Sequence, residues 1–157
     1  MNLPSSKIAT PKPDYVWSIK SIFEFFDQVD SILKEPVNSG DIEGITQAIA
    51  TLLTLYPASS DVCASADWYL SEAYRLEYEI ILKGLNGRGD EMSREAKKVT
   101  SASNLKEYIN SRLADWHYIK RRADRLNSAI THSLDGLRSI LSKEKESMRI
   151  ANYANQV

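Results

Sequence analysis

Residues 103–153 read SNLKEYINSRLADWHYIKRRADRLNSAITHSLDGLRSILSKEKESMRIANY, with no proline and one glycine, Gly136. Steps of seven connect Ile109, Trp116, Ala123, Ile130 and Leu137, and a parallel series holds Leu113, Leu134, Leu141 and Met148. Ile119, Leu126 and Ile140 each fall three residues after a member of the first series. Five heptads sharing one apolar seam predict a coiled-coil-like helix of about 45 residues, ~70 Å long at the helical rise. Ser103 or Asn104 can cap its start. The seam of so long a helix must be covered by shorter helices, by another copy, or by both.

The shorter helices are predicted upstream. Pro4, Pro11 and Pro13 make residues 1–13 a flexible arm, since proline removes donors and the stretch has no apolar period. Asp14 is a candidate cap for a first helix with Val16, Ile19, Ile22, Phe23, Phe26, Val29 and Leu33 at helical spacing. That helix stops at Glu35, before Pro36 and the Asn38-Ser39-Gly40 turn. Asp41 can cap a second, with Ile42, Ile45, Ile49, Leu52 and Leu55 on one face and Pro57 at its end. Ser59, Ser60 and Asp61 offer caps for a third, with Val62, Ala66, Tyr69, Ala73, Leu76 and Ile80, running to about Leu82. A glycine-rich loop over 83–102 follows.

No sustained alternation competes, so the expected class is all-α. Three N-terminal acidic helices within 14–82 pack on the long basic helix 103–153, and 14–157 form a single helical domain. The chain has 157 residues, 43% hydrophobic and 26% charged, which suits one globular domain and excludes wholesale disorder. Cys63 is the only cysteine, so neither an intrachain disulfide nor a multi-cysteine zinc site can form, and a reducing cytoplasm is the expected location. No apolar run approaches the ~18 residues of a bilayer span, and the N-terminal residues lack the apolar core of a secretory signal. No membrane partner is expected.

Catalytic patterns are missing. His117 and His132 lie fifteen residues apart on one helix, ~22 Å, too far to share a metal. There is no Gly-x-Ser-x-Gly, no His-Glu-x-x-His and no glycine fingerprint for nucleotides. The reading is therefore no enzyme, no catalytic residue, no metal and no cofactor.

The charge of −1 conceals an asymmetry: residues 1–79 carry 5 basic and 12 acidic groups, a net −7, and residues 80–157 carry 15 and 9, a net +6. Between 97 and 125, eight basic residues (Lys97, Lys98, Lys106, Arg112, Lys120, Arg121, Arg122 and Arg125) face three acids, Glu107, Asp115 and Asp124. Guanidinium groups bind phosphate oxygens bidentately, and exposed aromatic faces stack on unpaired bases. These eight residues are the candidate nucleic-acid contacts; their alternative partners are Asp115, Asp124 and the acidic first half. Trp116 falls in the heptad series and is assigned to the seam. Ile130, Leu134, Leu137 and Leu141 exceed what three short helices readily cover and are the candidate homo-oligomer interface.

From Ala73-Tyr74-Arg75-Leu76-Glu77-Tyr78, through Gly87-Arg88-Gly89-Asp90 and Lys98-Val99-Thr100-Ser101, to Trp116, Leu126, Leu137 and Arg138, the chain resembles the UvsY-type recombination mediator proteins of tailed phages. The likeness spans about residues 66–150, roughly half the chain. It implies a small all-helical, ring-forming protein that binds single-stranded DNA and helps load a recombinase onto strands covered by single-strand-binding protein. Lys97, Lys98, Arg112, Lys120, Arg121, Arg122 and Arg125 would be its DNA contacts. The expected function is thus a non-enzymatic, oligomeric, single-stranded DNA-binding accessory factor in phage recombination or replication, in the host cytoplasm. The alternative is a helical adaptor that uses the long helix as a protein interface.

Overall fold

The structure, a computed structural model, describes residues 11–85 and 102–154. They form α1 (Ile19–Lys34), α2 (Ile42–Leu85), α3 (Ala102–Arg112) and α4 (Ala114–Ala154), with no strand among the described residues. The all-α class holds, and α4 packs against α2. The element boundaries differ from the expected ones in three places.

Ser18 caps α1 in place of Asp14. The Val16 amide bonds to Pro13 O at 3.0 Å, closing a turn, and the buried Val16 side chain anchors it. Ser18 is extended and its Oγ accepts from the Ser21 amide at 3.1 Å, so the helix begins only there. Asp41 caps α2 as expected, its Oδ1 accepting from the Gly44 amide at 2.9 Å. A Cβ on Gly44 would fall 2.5 Å from Asp41 Oδ2, so glycine leaves the carboxylate room to swing in.

Pro57 does not end the second helix. The expected second and third helices are one element of 44 residues with Pro57 inside it. Leu52, Leu55, Ser59, Val62, Ala66, Tyr69 and Ala73 are all buried, and their steps of three and four continue through the proline. A helix-interior proline costs ~3 kcal/mol, whereas each large apolar side chain buried contributes about 1.5–3 kcal/mol. Burial outweighs the lost bond. Ser59 and Ser60 consequently serve no cap.

The long C-terminal helix is interrupted once, at Leu113. Its amide is shared between Ile109 O at 3.1 Å and Asn110 O at 3.2 Å, which tightens the last turn of α3. His117 N then bonds to Leu113 O at 3.0 Å, and α4 is under way.

The described residues group into two compact units, 11–17 with 63–85 and 102–122, and 18–62 with 123–154. In the first, Val16, Ala66, Tyr69, Ala73, Ile81, Ile109, Leu113, Trp116 and Ile119 are buried. Tyr69 and Trp116 stack, and Trp68 meets Tyr69 edge-on. The segment that precedes α1 is held here. Trp17 N donates to Ser65 Oγ at 2.9 Å, Tyr69 Oη donates to Trp17 O at 3.1 Å, and Lys12 Nζ donates to Val16 O.

In the second unit, Ile22, Phe25, Phe26 and Val29 of α1 share a core with Ile45, Leu52, Leu55 and Val62 of α2 and Ala123, Leu126, Ile130 and Leu134 of α4. Its buried polar link is Ser59, whose Oγ lies 2.7 Å from both Tyr56 O and Asn127 Oδ1. One hydroxyl proton serves one acceptor, so the set is complete when the Asn127 amide turns its nitrogen toward Ser59. No helix among the described residues is long and apolar enough to cross a membrane.

Candidate nucleic-acid interface

The buried positions of α4, Trp116, Ile119, Ala123, Leu126, Ile130 and Leu134, define one face of the helix. At 100° per residue the opposite face carries Ala114, Tyr118, Arg121, Arg125, Ser128 and His132, all of them exposed. Tyr118 precedes Arg121 by three residues and Arg125 by seven, so the ring and both guanidinium groups line one stripe. Arg121 and Arg125 have no ion pair among the described residues.

The other basic candidates are placed differently. Lys97 and Lys98 lie outside the described residues. Lys106 is exposed on α3. Arg112 pairs with Glu77 at 2.8 Å and sits 6.0 Å over the Tyr108 ring; the hydrogen bond it donates to Glu77 holds its pKa above the ordinary arginine value. Lys120 pairs with Asp67 at 2.9 Å. Arg122 is half-buried and is not free. Two of the eight thus meet carboxylates from the acidic first half of the chain.

The aromatic residues sort as sharply. Trp116 is 2% exposed and belongs to the core, as its heptad position implied, whereas Tyr118 is 49% exposed. The signal for Tyr118 was its three- and seven-residue spacing to Arg121 and Arg125. His117 adds no charge at neutral pH: burial, and then the nearby Arg121 charge, lower its pKa. Its Nε2 lies 3.2 Å from Asn110 Oδ1, which also accepts from Tyr74 Oη at 2.6 Å. That network joins α2, α3 and α4 and occupies Tyr74.

No family model, curated protein or solved structure gives a significant match to this chain. The stripe therefore stands on its own chemistry: two guanidinium groups without an ion pair among the described residues and an exposed ring on one helix face, groups of the kinds that can bind phosphate and stack on a base. Among the described residues no group of three or more His, Cys, Asp or Glu could hold a metal ion.

The expected oligomer strip changes in extent. Ile130 and Leu134 are core residues of the second unit, 0% and 5% exposed, because α1 and α2 build the same core. Leu137 and Leu141 are half-buried, and Ile140 and Met148, further along, are exposed.

Proposed function

We propose that this chain is a non-enzymatic, self-associating accessory protein that binds single-stranded nucleic acid, in the manner of a phage recombination mediator working in the host cytoplasm. The observation that carries this reading is the stripe of Tyr118, Arg121 and Arg125, exposed on the face of α4 opposite its core, with no ion pair to either arginine among the described residues. The net +6 of residues 80–157 would draw a polyanion toward it. A recombinase or a single-strand-binding protein would be the protein partner.

The test is a salt titration of binding to single-stranded and duplex oligonucleotides. Each phosphate contact contributes about −0.7 to the logarithmic salt slope on single strands. Replacing Arg121 and Arg125 together by Ala flattens the slope by roughly 1.4 and weakens all sequences about equally. Tyr118→Ala lowers single-strand affinity by about tenfold or more with the slope unchanged, because a stacking contact is worth ~1–3 kcal/mol. Arg112→Ala changes the fold's stability more than the slope, since its charge is already matched by Glu77.

The adaptor reading is favoured by the Arg112–Glu77 and Lys120–Asp67 pairs, which spend basic groups on the chain's own acids. It predicts no salt-dependent nucleic-acid binding at all.

A further inference from the structure

In the second unit a groove of about 640 Å³ opens between the C-terminal end of α1, the turn after it, the start of α2 and the Ser133–Ile140 stretch of α4. Its apolar walls include Leu33, Val37, Leu52 and Leu137, and its charged groups are Glu35 and Asp41, with no lysine or arginine. Gly136 lines it, and a Cβ built there would meet nothing within 4 Å. A glycine in mid-helix weakens the helix relative to alanine, and no neighbour among the described residues requires one at this place.

The same face of α4 continues past the groove. Leu137, Ile140, Leu141, Glu144, Met148 and Ala151 recur at steps of three and four, and after Glu144 every described residue is exposed. Met148 is 54% exposed. This end of α4 is an amphipathic strip whose charges over 143–149 are Lys143, Lys145 and Arg149 against Glu144 and Glu146, with Arg149 paired to Glu146 at 3.1 Å, so that its net charge is positive and opposite in sign to the groove. Acidic groove and net-positive strip are contiguous on one chain, and no described residue covers the strip beyond Glu144.

We infer that two copies pair reciprocally, the α4 end of each lying in the groove of the other, antiparallel to the α4 it meets. With the crossing centred near Ser142, Met148 of one copy comes opposite Gly136 of its partner, where the missing side chain leaves room for the thioether. Glu35 and Asp41 then face the lysines of the incoming end. The arrangement is a closed dimer. It deepens the self-association proposed above but shares no residue with the Tyr118 stripe, so its failure and the failure of nucleic-acid binding are separate results.

Light scattering over a dilution series of the full chain should give a mass of twice 17.7 kDa that falls toward 17.7 kDa on dilution. Gly136→Gln adds a better helix former into open space, so helicity and melting of the dilute monomer are kept, while dimer affinity drops by at least about tenfold because the hole is filled. Met148→Gln does the same from the other side. In a Cys63→Ser background, an oxidised mixture of Gly136→Cys and Met148→Cys chains should yield far more covalent dimer than either alone. A monomer at every concentration overturns the inference. So does a dimer indifferent to Gly136→Gln and Met148→Gln, or a mixture that cross-links no better than its components.

Discussion

The ring of Tyr69 lies flat against the indole of Trp116, with centroids 5.3 Å apart and planes 11° apart. Both are buried, and the phenol hydroxyl reaches on to Trp17 O at 3.1 Å. One side chain of α2 thus ties together α4 and the segment that precedes α1. The tryptophan in the basic cluster is committed to the fold, and Tyr118 is the exposed ring beside it.

Trp116→Ala should destabilise the protein by about 3–5 kcal/mol in urea unfolding, the usual cost of an aromatic deleted from a core. Tyr69→Phe, which keeps the stack and loses only the bond to Trp17, should cost ~1 kcal/mol. Comparable losses from the two would place the stability in the hydroxyl and not in the stack.

Ser59→Ala leaves the half-buried Asn127 amide short of a partner and should cost about 1 kcal/mol. Combining it with Asn127→Leu should cost less than the sum of the two single changes, since neither variant then strands a polar group. Strict additivity of the two melting shifts would show that the groups act independently.

His117 gives the stability a pH dependence of definite sign. Burial and the Arg121 charge lower its pKa in the folded state below the ordinary 6.5, so the unfolded chain binds the proton more readily. The contribution of the neutral ring is fully present above 6.5 and is lost as pH falls through the folded-state value. His117→Gln removes the titration and keeps a donor for Asn110. Urea midpoints from about pH 8 to pH 5 should fall for the wild type relative to this variant, and parallel curves would contradict the assignment.

Pro57→Ala restores an amide inside α2 at a position where the helix is already continuous. The gained bond, less the added freedom of the unfolded chain, should stabilise by about 1–2 kcal/mol with no change in the denaturant slope. A lower midpoint would mean that the helix needs the proline at that turn.

Much of this fold was legible because burial follows period. The Ile109–Leu134 seam and the Asp41 cap could be read directly from spacing and from the chemistry of the first turn. Pro57 misled because a local breaker was weighed above a stripe whose steps of three and four ran straight through it. The interruption at Leu113 had no sign in composition, since it consists of one amide shared between two carbonyls. Within the basic cluster, the heptad position of Trp116 assigned it to the core, but nothing in that pattern singled out Tyr118 as the exposed ring. Which arginines were spent on carboxylates could not be read, because Glu77 and Asp67 reach Arg112 and Lys120 from α2, 35 and 53 positions away in the chain.

Those separations also bear on how the chain is made. Ser59 meets Asn127 across 68 positions, Tyr74 meets Asn110 across 36, and Trp17 meets Ser65 across 48. A ribosome delivers α1 and α2 well before the α4 residues that bury Leu52, Val62 and Tyr69. During that interval the apolar side of a 44-residue helix is bare, and the nascent chain is at its most exposed to chaperones, proteases and other copies of itself. A transcript cut short before the codon for Ile130 would leave that condition permanent.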